Sequence, residues 1–442
     1  MGETGGEASV AAATRATQAR NWRLVQADSL FIGIVNASST FLPVFLLRLG
    51  ASASDIGLLT ALPALTAFML AIPFGRYLQA RGRIVAWYSR LRLAAWVSYA
   101  VIAAAVALLP RASSVPVALF IWAVASLPST AALVAFPLVM DGAAGPGGRF
   151  ELLGRRWAIA GVSAIVAVAL GGQFLATVPF PTNYEILLVI VTLGGFGSFL
   201  QSSRIVIAEH VRPPHTEQAP RLDRLRALWR QVVSNRPFMG YELRTFVYIW
   251  SLGMALPVLP LFYVHDLAAS DAWIGIIGAA GSAGSVVGYV TLRRVARSRG
   301  GTVILIPALL AAAWTTALMS VVNWLPAVAL LAFALGGAAA GAQLALFDRM
   351  MRTFPKELGV TFSSVDQSLQ NFALIVAPNV AGILAVSLGS RQTLLLTAAV
   401  GFIAVALFAI EARSEHRAGR LHGAAFPRQD SAEVRSSAPE AR

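Results

Sequence analysis

The sequence contains no cysteine, and only 13% of its 442 residues are charged. Without cysteine the chain has no disulfide framework, no cysteine-based zinc site and no thiol nucleophile. A soluble chain of this length is expected to carry about a quarter charged residues, whereas 57% of the residues here are hydrophobic. This composition indicates an integral membrane protein whose apolar surface faces lipid.

The charge that is present is almost all arginine. The formal net charge is +14, and Lys356 is the single lysine. A nucleic-acid-binding protein would carry its basic residues on a solvated domain, but these arginines occupy short hydrophilic breaks between apolar runs. Such breaks are typical of loops that face an anionic inner leaflet. We therefore expect the lipid bilayer, and no nucleic acid, as a partner.

About twelve apolar runs follow one another, each near the ~20 residues that cross a ~30 Å hydrocarbon core as a helix. Barrel strands would alternate in polarity and be shorter. The predicted fold class is therefore an all-α polytopic membrane protein with about twelve transmembrane helices. The runs cover residues 31–47, 56–74, 93–109, 115–140, 157–178, 186–203, 245–264, 272–292, 302–322, 325–347, 367–390 and 392–410.

Arginine marks alternate loops. The breaks after the even-numbered runs are rich in arginine, and we call their side of the molecule the arginine-rich side. The other breaks, on the arginine-poor side, carry only Arg48, Arg111 and Arg391. The positive-inside rule predicts that the arginine-rich side and both termini are cytoplasmic, in a plasma or inner membrane. The marking arginines include Arg76, Arg81, Arg83, Arg149, Arg155, Arg156, Arg293, Arg294, Arg297, Arg299, Arg349 and Arg352.

The two halves of the chain repeat each other. Leu42-Pro43-Val44 ends the first run and Leu256-Pro257-Val258 ends the seventh. A repeat six helices long indicates parallel halves related by an axis along the membrane normal. We expect two six-helix bundles at 27–203 and 238–410, a cytoplasmic loop at 204–237, and cytoplasmic tails at 1–26 and 411–442. The second tail is expected to be disordered because it is poor in apolar residues.

The turn after the second run carries a recognisable motif. Gly75, Gly82 and Arg83 match the pattern Gly-x-x-x-Asp-x-x-Gly-Arg, with Gln79 at the aspartate position. With the six-plus-six organisation, the chain resembles the major facilitator superfamily over almost its whole length. The resemblance implies a secondary transporter that works by alternating access. It also implies a cytoplasmic gate formed by Gly75, Gln79, Arg81, Gly82 and Arg83 with Asp141 and Asp348.

No ionisable residue lies inside the runs as bounded above; the acids stand at their ends. Since burying a charge in the bilayer costs ~3 kcal/mol or more, a neutral-to-lipophilic or weakly cationic substrate is favoured. Glu242, Asp28 and Asp366 are the candidates for proton coupling. Asp28 and Glu242 have the alternative of interfacial pairing with Arg23 and Arg244. Ser363 and Asp366 have the alternative of capping a helix.

Uncharged polar and aromatic residues are the candidates for the substrate cavity. In the family, helices one, four, seven and ten surround the cavity, which implies that mid-span residues of these helices and their neighbours face it. Interhelical hydrogen bonds are the alternative for each. The candidates are Asn36, Ser129, Thr130, Trp157, Gln173, Tyr248, Trp250, Gln343, Gln370 and Asn371.

Taken together, these features predict proton-coupled efflux of a small molecule by a monomer without a cofactor or metal. A uniporter or an importer of a neutral metabolite is the alternative. A membrane-embedded enzyme would need a nucleophile, base or metal ligands at membrane depth, and a nucleotide-driven pump would need a Walker lysine. The sequence shows neither.

Overall fold

In a computed structural model, the chain folds almost entirely into helices. The structure describes residues 3–81, 83–145, 148–207, 230, 232–299, 302–353 and 359–425, and these contain no strand. Twelve helical spans are long and apolar enough to cross a membrane, which confirms the predicted fold class. The helices are α1a Glu3–Asn36, α1b Ser38–Arg48, α2 Ala53–Arg81, α3 Ile84–Leu108, α4 Arg111–Ala144, α5 Arg149–Leu175, α6 Thr182–Ser202, α7 Arg236–Leu261, α8 Asp271–Arg299, α9 Thr302–Val321, α10 Leu325–Met351, α11 Gly359–Leu388 and α12 Ser390–Ala425.

The first span is broken near its middle. Helix α1a ends at Asn36, and α1b begins at Ser38, whose hydroxyl oxygen lies 2.7 Å from the Val35 carbonyl oxygen and 2.8 Å from the Tyr99 hydroxyl, so that it can bond both. Ala37 between the two helices keeps helical backbone angles, with φ of −59° and ψ of −27°. The break is therefore a local interruption of the hydrogen-bond ladder.

The helices extend beyond the predicted apolar runs and include charged residues. Asp28, Arg92, Arg156, Glu242 and Asp366 all lie within helices and are buried. The expectation that the spans hold no ionisable residue is therefore wrong. A hydropathy pattern ends a run at the first charge, whereas in the folded protein neighbouring side chains allow that charge to be buried.

The terminal segments also differ from expectation. Helix α1a occupies most of the segment predicted as the first tail, and α12 continues to Ala425 through part of the segment expected to be disordered. Residues 426–442 lie outside the described residues. The sequence of both segments is rich in alanine and arginine, which have high helix propensity, so each adjoining transmembrane helix is prolonged.

The two halves of the molecule pack closely on the arginine-poor side. A Cβ atom placed on Gly172 of α5 would lie 2.7 Å from the Cα of Gly275 in α8, and one on Gly382 of α11 would lie 2.8 Å from the Cα of Ser54 in α2. Both contacts need glycine, because such distances leave no room for a side chain. Small residues that allow helix backbones to approach are typical of membrane helix interfaces. These two crossings close the arginine-poor end of the molecule.

An ion pair joins the halves at the same end. The Arg48 guanidinium of α1b lies 2.9 Å from the Asp271 carboxylate at the start of α8. Tyr184 of α6 donates a hydrogen bond to the same carboxylate. Asp271 lies in the first turn of α8 and links this helix to α1b and α6 across the interface.

Candidate functional site

A cavity of about 550 Å³ lies between the two halves, in the arginine-poor half of the spans and at their middle. Its wall is largely apolar, and none of the described residues that line it is charged. A site of this chemistry suits a neutral molecule, because a buried charge in the ligand would find no partner. Polar and aromatic residues of the wall are Ser38, Ser39, Thr40, Thr60, Tyr99, Trp122, Tyr263, Ser282 and Ser285.

The polar groups of the wall divide into engaged and available ones. The Trp122 indole donates to the Leu59 carbonyl at 2.9 Å, and the Tyr99 hydroxyl is held by Ser38. In contrast, the hydroxyl groups of Thr40, Thr60 and Tyr263 make no hydrogen bond to another described residue. Three hydroxyls on different helices can therefore orient a ligand.

Tyr263 occupies an unusual backbone turn. Residues Phe262–Asp266 form a π-helical turn directly after α7, which itself contains Pro257 and Pro260. Proline removes a backbone donor and disturbs the following hydrogen bonds, and π-turns occur frequently at functional sites. The turn places Tyr263 on the cavity wall.

None of the predicted cavity residues lines this cavity, although one adjoins it. The carbonyl of Asn36, at the break of the first span, accepts a hydrogen bond from Ser39 on the wall. The Tyr289 hydroxyl of α8 donates a hydrogen bond to the Gln343 amide oxygen of α10, on the arginine-rich side of the cavity. Tyr248 is buried within α7. A role for them in substrate binding stays a prediction.

The other predicted cavity residues are dispersed. Trp157 is exposed and lies beside the Arg156 guanidinium, with the ring centroid 5.2 Å away. Gln370 donates to the Asp366 carboxylate at 2.8 Å. Ser129 and Gln173 are exposed, Thr130 is buried, and Trp250 and Asn371 are half-buried.

The predicted gate is described only in part. Gly82 lies outside the described residues. The same holds for the surroundings of Gly75 and for the side chains of Gln79 and Arg81. Arg83 precedes α3 with a φ of 48°, a conformation that favours glycine. The Asp348 carboxylate lies 2.9 Å from Arg352 one turn further along α10, and Asp141 is exposed at the end of α4.

A buried charge cluster ties together the first half. The Asp28 carboxylate lies 3.1 Å from Arg92 of α3 and 3.5 Å from Arg156 of α5, and it accepts a hydrogen bond from Ser198 of α6. Arg92 also lies over the Trp96 ring, 4.5 Å from its centroid. The expected interfacial pairing of Asp28 with Arg23 is therefore wrong.

The second half holds a different arrangement of charge. Glu242 of α7 and Asp366 of α11 are both buried and stand at the same level of the two helices, one turn beyond the packed rings of Phe238 and Phe362. Arg244 pairs instead with Glu411 of α12, and Glu411 also lies 2.8 Å from Arg349. The expected pairing of Glu242 with Arg244 is therefore wrong.

The capping interpretation of Asp366 is wrong as well. Helix α11 begins at Gly359, so Asp366 lies two turns inside the helix and is buried. A residue at that depth cannot cap the first amide groups, which lie within one turn of the start. The polar segment before the apolar run belongs to the helix itself.

Sequence reasoning missed several residues that the structure brings to these sites. Arg92 and Arg156 look like loop arginines because they directly precede apolar runs. Tyr263 and Tyr289 gave no distinguishing signal, since tyrosines near span ends are common at membrane interfaces. The Leu-Pro repeat in α7 was the one signal that could have drawn attention to the following turn.

The sequence of this chain matches a known protein family. A family model described as the MFS_1-like family matches residues 22–371, which is most of the chain. The chain belongs to the MFS_1-like family. The resemblance to the major facilitator superfamily is confirmed, and the protein is a membrane transporter rather than an enzyme. No curated protein sequence matches this chain.

Solved transporter structures share the fold of this MFS_1-like protein. A mutant of the nucleoside transporter NupG is 11% identical, with a TM-score of 0.70, covering 88% of this chain and 99% of that chain. A bacterial homologue of the human lysosomal transporter Spinster, inward-facing and occupied, is 14% identical, with a TM-score of 0.62 and coverages of 88% and 95%. The human organic anion transporter MFSD10 is 15% identical, with a TM-score of 0.59 and coverages of 88% and 99%. At these identities the likeness shows the fold alone.

Proposed function

We propose that this transporter moves a small neutral-to-lipophilic or weakly cationic molecule through the cavity between its halves, by proton-coupled export from the cytoplasm. The observation that carries the proposal is the uncharged cavity with the available hydroxyls of Thr40, Thr60 and Tyr263. A volume of about 550 Å³ falls in the range of small-molecule sites.

The solved transporters that share this fold help to rank substrate classes. NupG is a nucleoside transporter and MFSD10 an organic anion transporter. A nucleoside is uncharged and can use hydroxyl partners. An organic anion would favour a cationic group on the wall, and the lining residues that the structure describes include none. The cavity chemistry therefore supports a neutral substrate, with hydrogen bonds to orient it and apolar area to bind it.

Closure of the arginine-poor end supports alternating access. The Gly172 and Gly382 crossings and the Arg48 to Asp271 ion pair hold this end shut. In a rocking mechanism these contacts separate when the other end closes. The alternative functions, a uniporter or an importer, differ in whether substrate accumulates against its gradient and on which side.

Transport in proteoliposomes tests the cavity assignment. We expect Tyr263→Phe and Thr60→Val each to weaken the apparent affinity for a transported probe by about threefold to tenfold, the value of one lost hydrogen bond. Uridine and daunorubicin are suitable probes of the neutral and weakly basic classes. Thr291→Val is the matched control, since the Thr291 hydroxyl is exposed and bonds its own helix at Val287. Unchanged affinity in both cavity variants would place the substrate elsewhere.

Reporter fusions test the orientation. Because arginine marks the even loops, a reporter fused after Arg299 is expected to be cytoplasmic, and one inserted near Ala268 is expected to be external. Alkaline phosphatase and a fluorescent protein, active on opposite sides, provide the measurement. The reverse pattern would make the arginine-rich side external and would reverse the proposed direction of export.

A further inference from the structure

Two carboxyl groups adjoin each other inside the second half of the protein. Glu242 is 2% exposed and Asp366 is 7% exposed. They lie one turn beyond Phe238 and Phe362, whose rings pack edge to face with their centroids 4.7 Å apart, so the two acids stand at the same level of two packed helices. Two ionised carboxylates in such a buried site repel each other, and a hydrogen bond between them requires a proton on one, because an ionised carboxylate only accepts. The placement therefore favours one bound proton.

One oxygen of each carboxyl group has no donor among the described residues. Glu242 Oε1 and Asp366 Oδ1 are fully buried and receive no hydrogen bond from a donor of the described residues. Gln370 donates to the other Asp366 oxygen at 2.8 Å. Leaving a buried carboxylate oxygen unpaired is costly, so these oxygens are positions where a hydrogen ion would be stabilised.

Other ionisable groups around the pair are already engaged. Tyr241 precedes Glu242 on α7, and its hydroxyl donates to the Leu346 carbonyl of α10. Arg349 of α10 and Arg244 of α7 both pair with Glu411 of α12. Of the described residues, none of these cations forms an ion pair with Glu242 or Asp366. The charge of the pair is therefore not neutralised by arginine.

The repeat shows how the two halves differ at this place. The separation that aligns Leu42 with Leu256 also aligns Asp28 with Glu242. Gly172 and Gly382 make equivalent contacts, against the starts of α8 and α2. The number of residues between these two glycines is also the number between Arg156 and Asp366, so the repeat aligns Arg156 with Asp366. In the first half these positions hold Asp28 and Arg156, whose charged groups lie 3.5 Å apart. In the second half the same positions hold two acids, Glu242 and Asp366.

We propose that Glu242 and Asp366 together form the single proton-binding site that couples transport to the proton gradient. This inference rests on the proposed function. On loading, a proton from water forms an O–H bond on one carboxylate oxygen, and the other carboxylate accepts it. On unloading, the O–H bond breaks, the proton passes to water, and two like charges are left in a buried site.

The helices that carry the pair connect it to the cavity and to the closed end. The span of α7 continues into the turn that holds Tyr263 on the cavity wall. A Cβ on Gly57 of α2 would lie 3.0 Å from the Pro378 carbonyl oxygen of α11. Like charges in a low dielectric repel strongly, so loss of the proton drives α7 and α11 apart. The repulsion thereby shifts both the wall and the closing contact.

The transport test uses full-length protein in proteoliposomes with an imposed pH gradient. Glu242→Gln and Asp366→Asn each keep an amide that can donate a hydrogen bond to the remaining carboxylate, as the protonated acid does in the loaded pair. We expect each to lower proton-driven accumulation of uridine or daunorubicin at least tenfold, while counterflow without a gradient stays within twofold and loses its pH dependence. Glu151→Gln is the control, because Glu151 is exposed and pairs with Arg155 one turn away. Full accumulation in either variant would overturn the proposal.

A second measurement needs no substrate and separates this inference from the proposed function. Infrared difference spectra between acid and alkaline pH report the carbonyl stretch of a protonated carboxylic acid. Wild type is expected to show one such buried group, absent from both variants. If wild type transports without moving protons, the coupling in the proposed function fails whatever the spectra show. If the band persists in both variants, the proton lies elsewhere and the site is wrong.

Discussion

Gly172→Leu is expected to lower transport strongly in a protein that still folds. A Cβ at Gly172 would lie 2.7 Å from the Gly275 Cα and 2.9 Å from the Asp271 carbonyl oxygen. Leucine adds three further carbon atoms, so α5 and α8 cannot close at the arginine-poor end. Overpacking costs ~1–3 kcal/mol, and a bias of that size lowers the closed population by about fivefold to 150-fold. We expect transport to fall accordingly.

Thiol labelling measures the shift directly. Because the chain has no cysteine, Thr60→Cys on the cavity wall provides a single labelling site without background. In Gly172→Leu, this cysteine is expected to react faster with a membrane-impermeant reagent added from the arginine-poor side. Gly154→Leu is the matched control: it lies on the same helix, and a Cβ there meets nothing within 4 Å. Equal labelling in the two variants would contradict the assignment of this crossing as the closing contact.

Asp28→Ala is expected to destabilise the protein strongly. Asp28 is 1% exposed and holds Arg92 and Arg156, which belong to two other helices. Removing one partner of a buried ion pair typically costs about 3–5 kcal/mol, because the remaining charge is left without compensation. Here two guanidinium groups would lose their partner. Thermal unfolding of detergent-solubilised protein and the yield of folded protein in the membrane provide the measurement.

Two further variants decide the cause of that loss. Glu151→Ala removes an exposed pair with Arg155, where about 0.5 kcal/mol or less is expected. Asp28→Leu combined with Arg92→Leu removes charge of both signs and is expected to be less destabilising than Asp28→Ala alone. If Asp28→Ala behaved like Glu151→Ala, the buried cluster would not stabilise the bundle.

The stability of Asp28→Ala also distinguishes Asp28 from Glu242, which occupies the same position in the repeat. Both were candidates for proton coupling on the basis of their place at the start of a span. Asp28 faces two arginines, so its charge is balanced within the first half. Glu242 faces another carboxyl group. The sequence could not separate them, because their partners come from α3, α5 and α11, which are distant along the chain.

The cavity shows the same limit of sequence reasoning. Mid-span polarity selected Gln173 and Trp157, which are exposed in the structure, and passed over Tyr263 and Thr60. A one-dimensional pattern gives depth in the membrane but not the direction in which a helix faces. Direction depends on how each helix is rotated against its neighbours, and the break in the first span and the π-turn after α7 change that rotation locally.

The sequence by itself determined the class of the protein, the number of spans and the six-plus-six repeat. Lipid requires every span to satisfy its own backbone hydrogen bonds, so length and hydropathy are sufficient for these features. Only the tertiary structure decided which charges are buried, which glycines close the arginine-poor end and which hydroxyls line the cavity. Those features depend on contacts between helices distant in sequence, and close packing makes such contacts specific to single side chains.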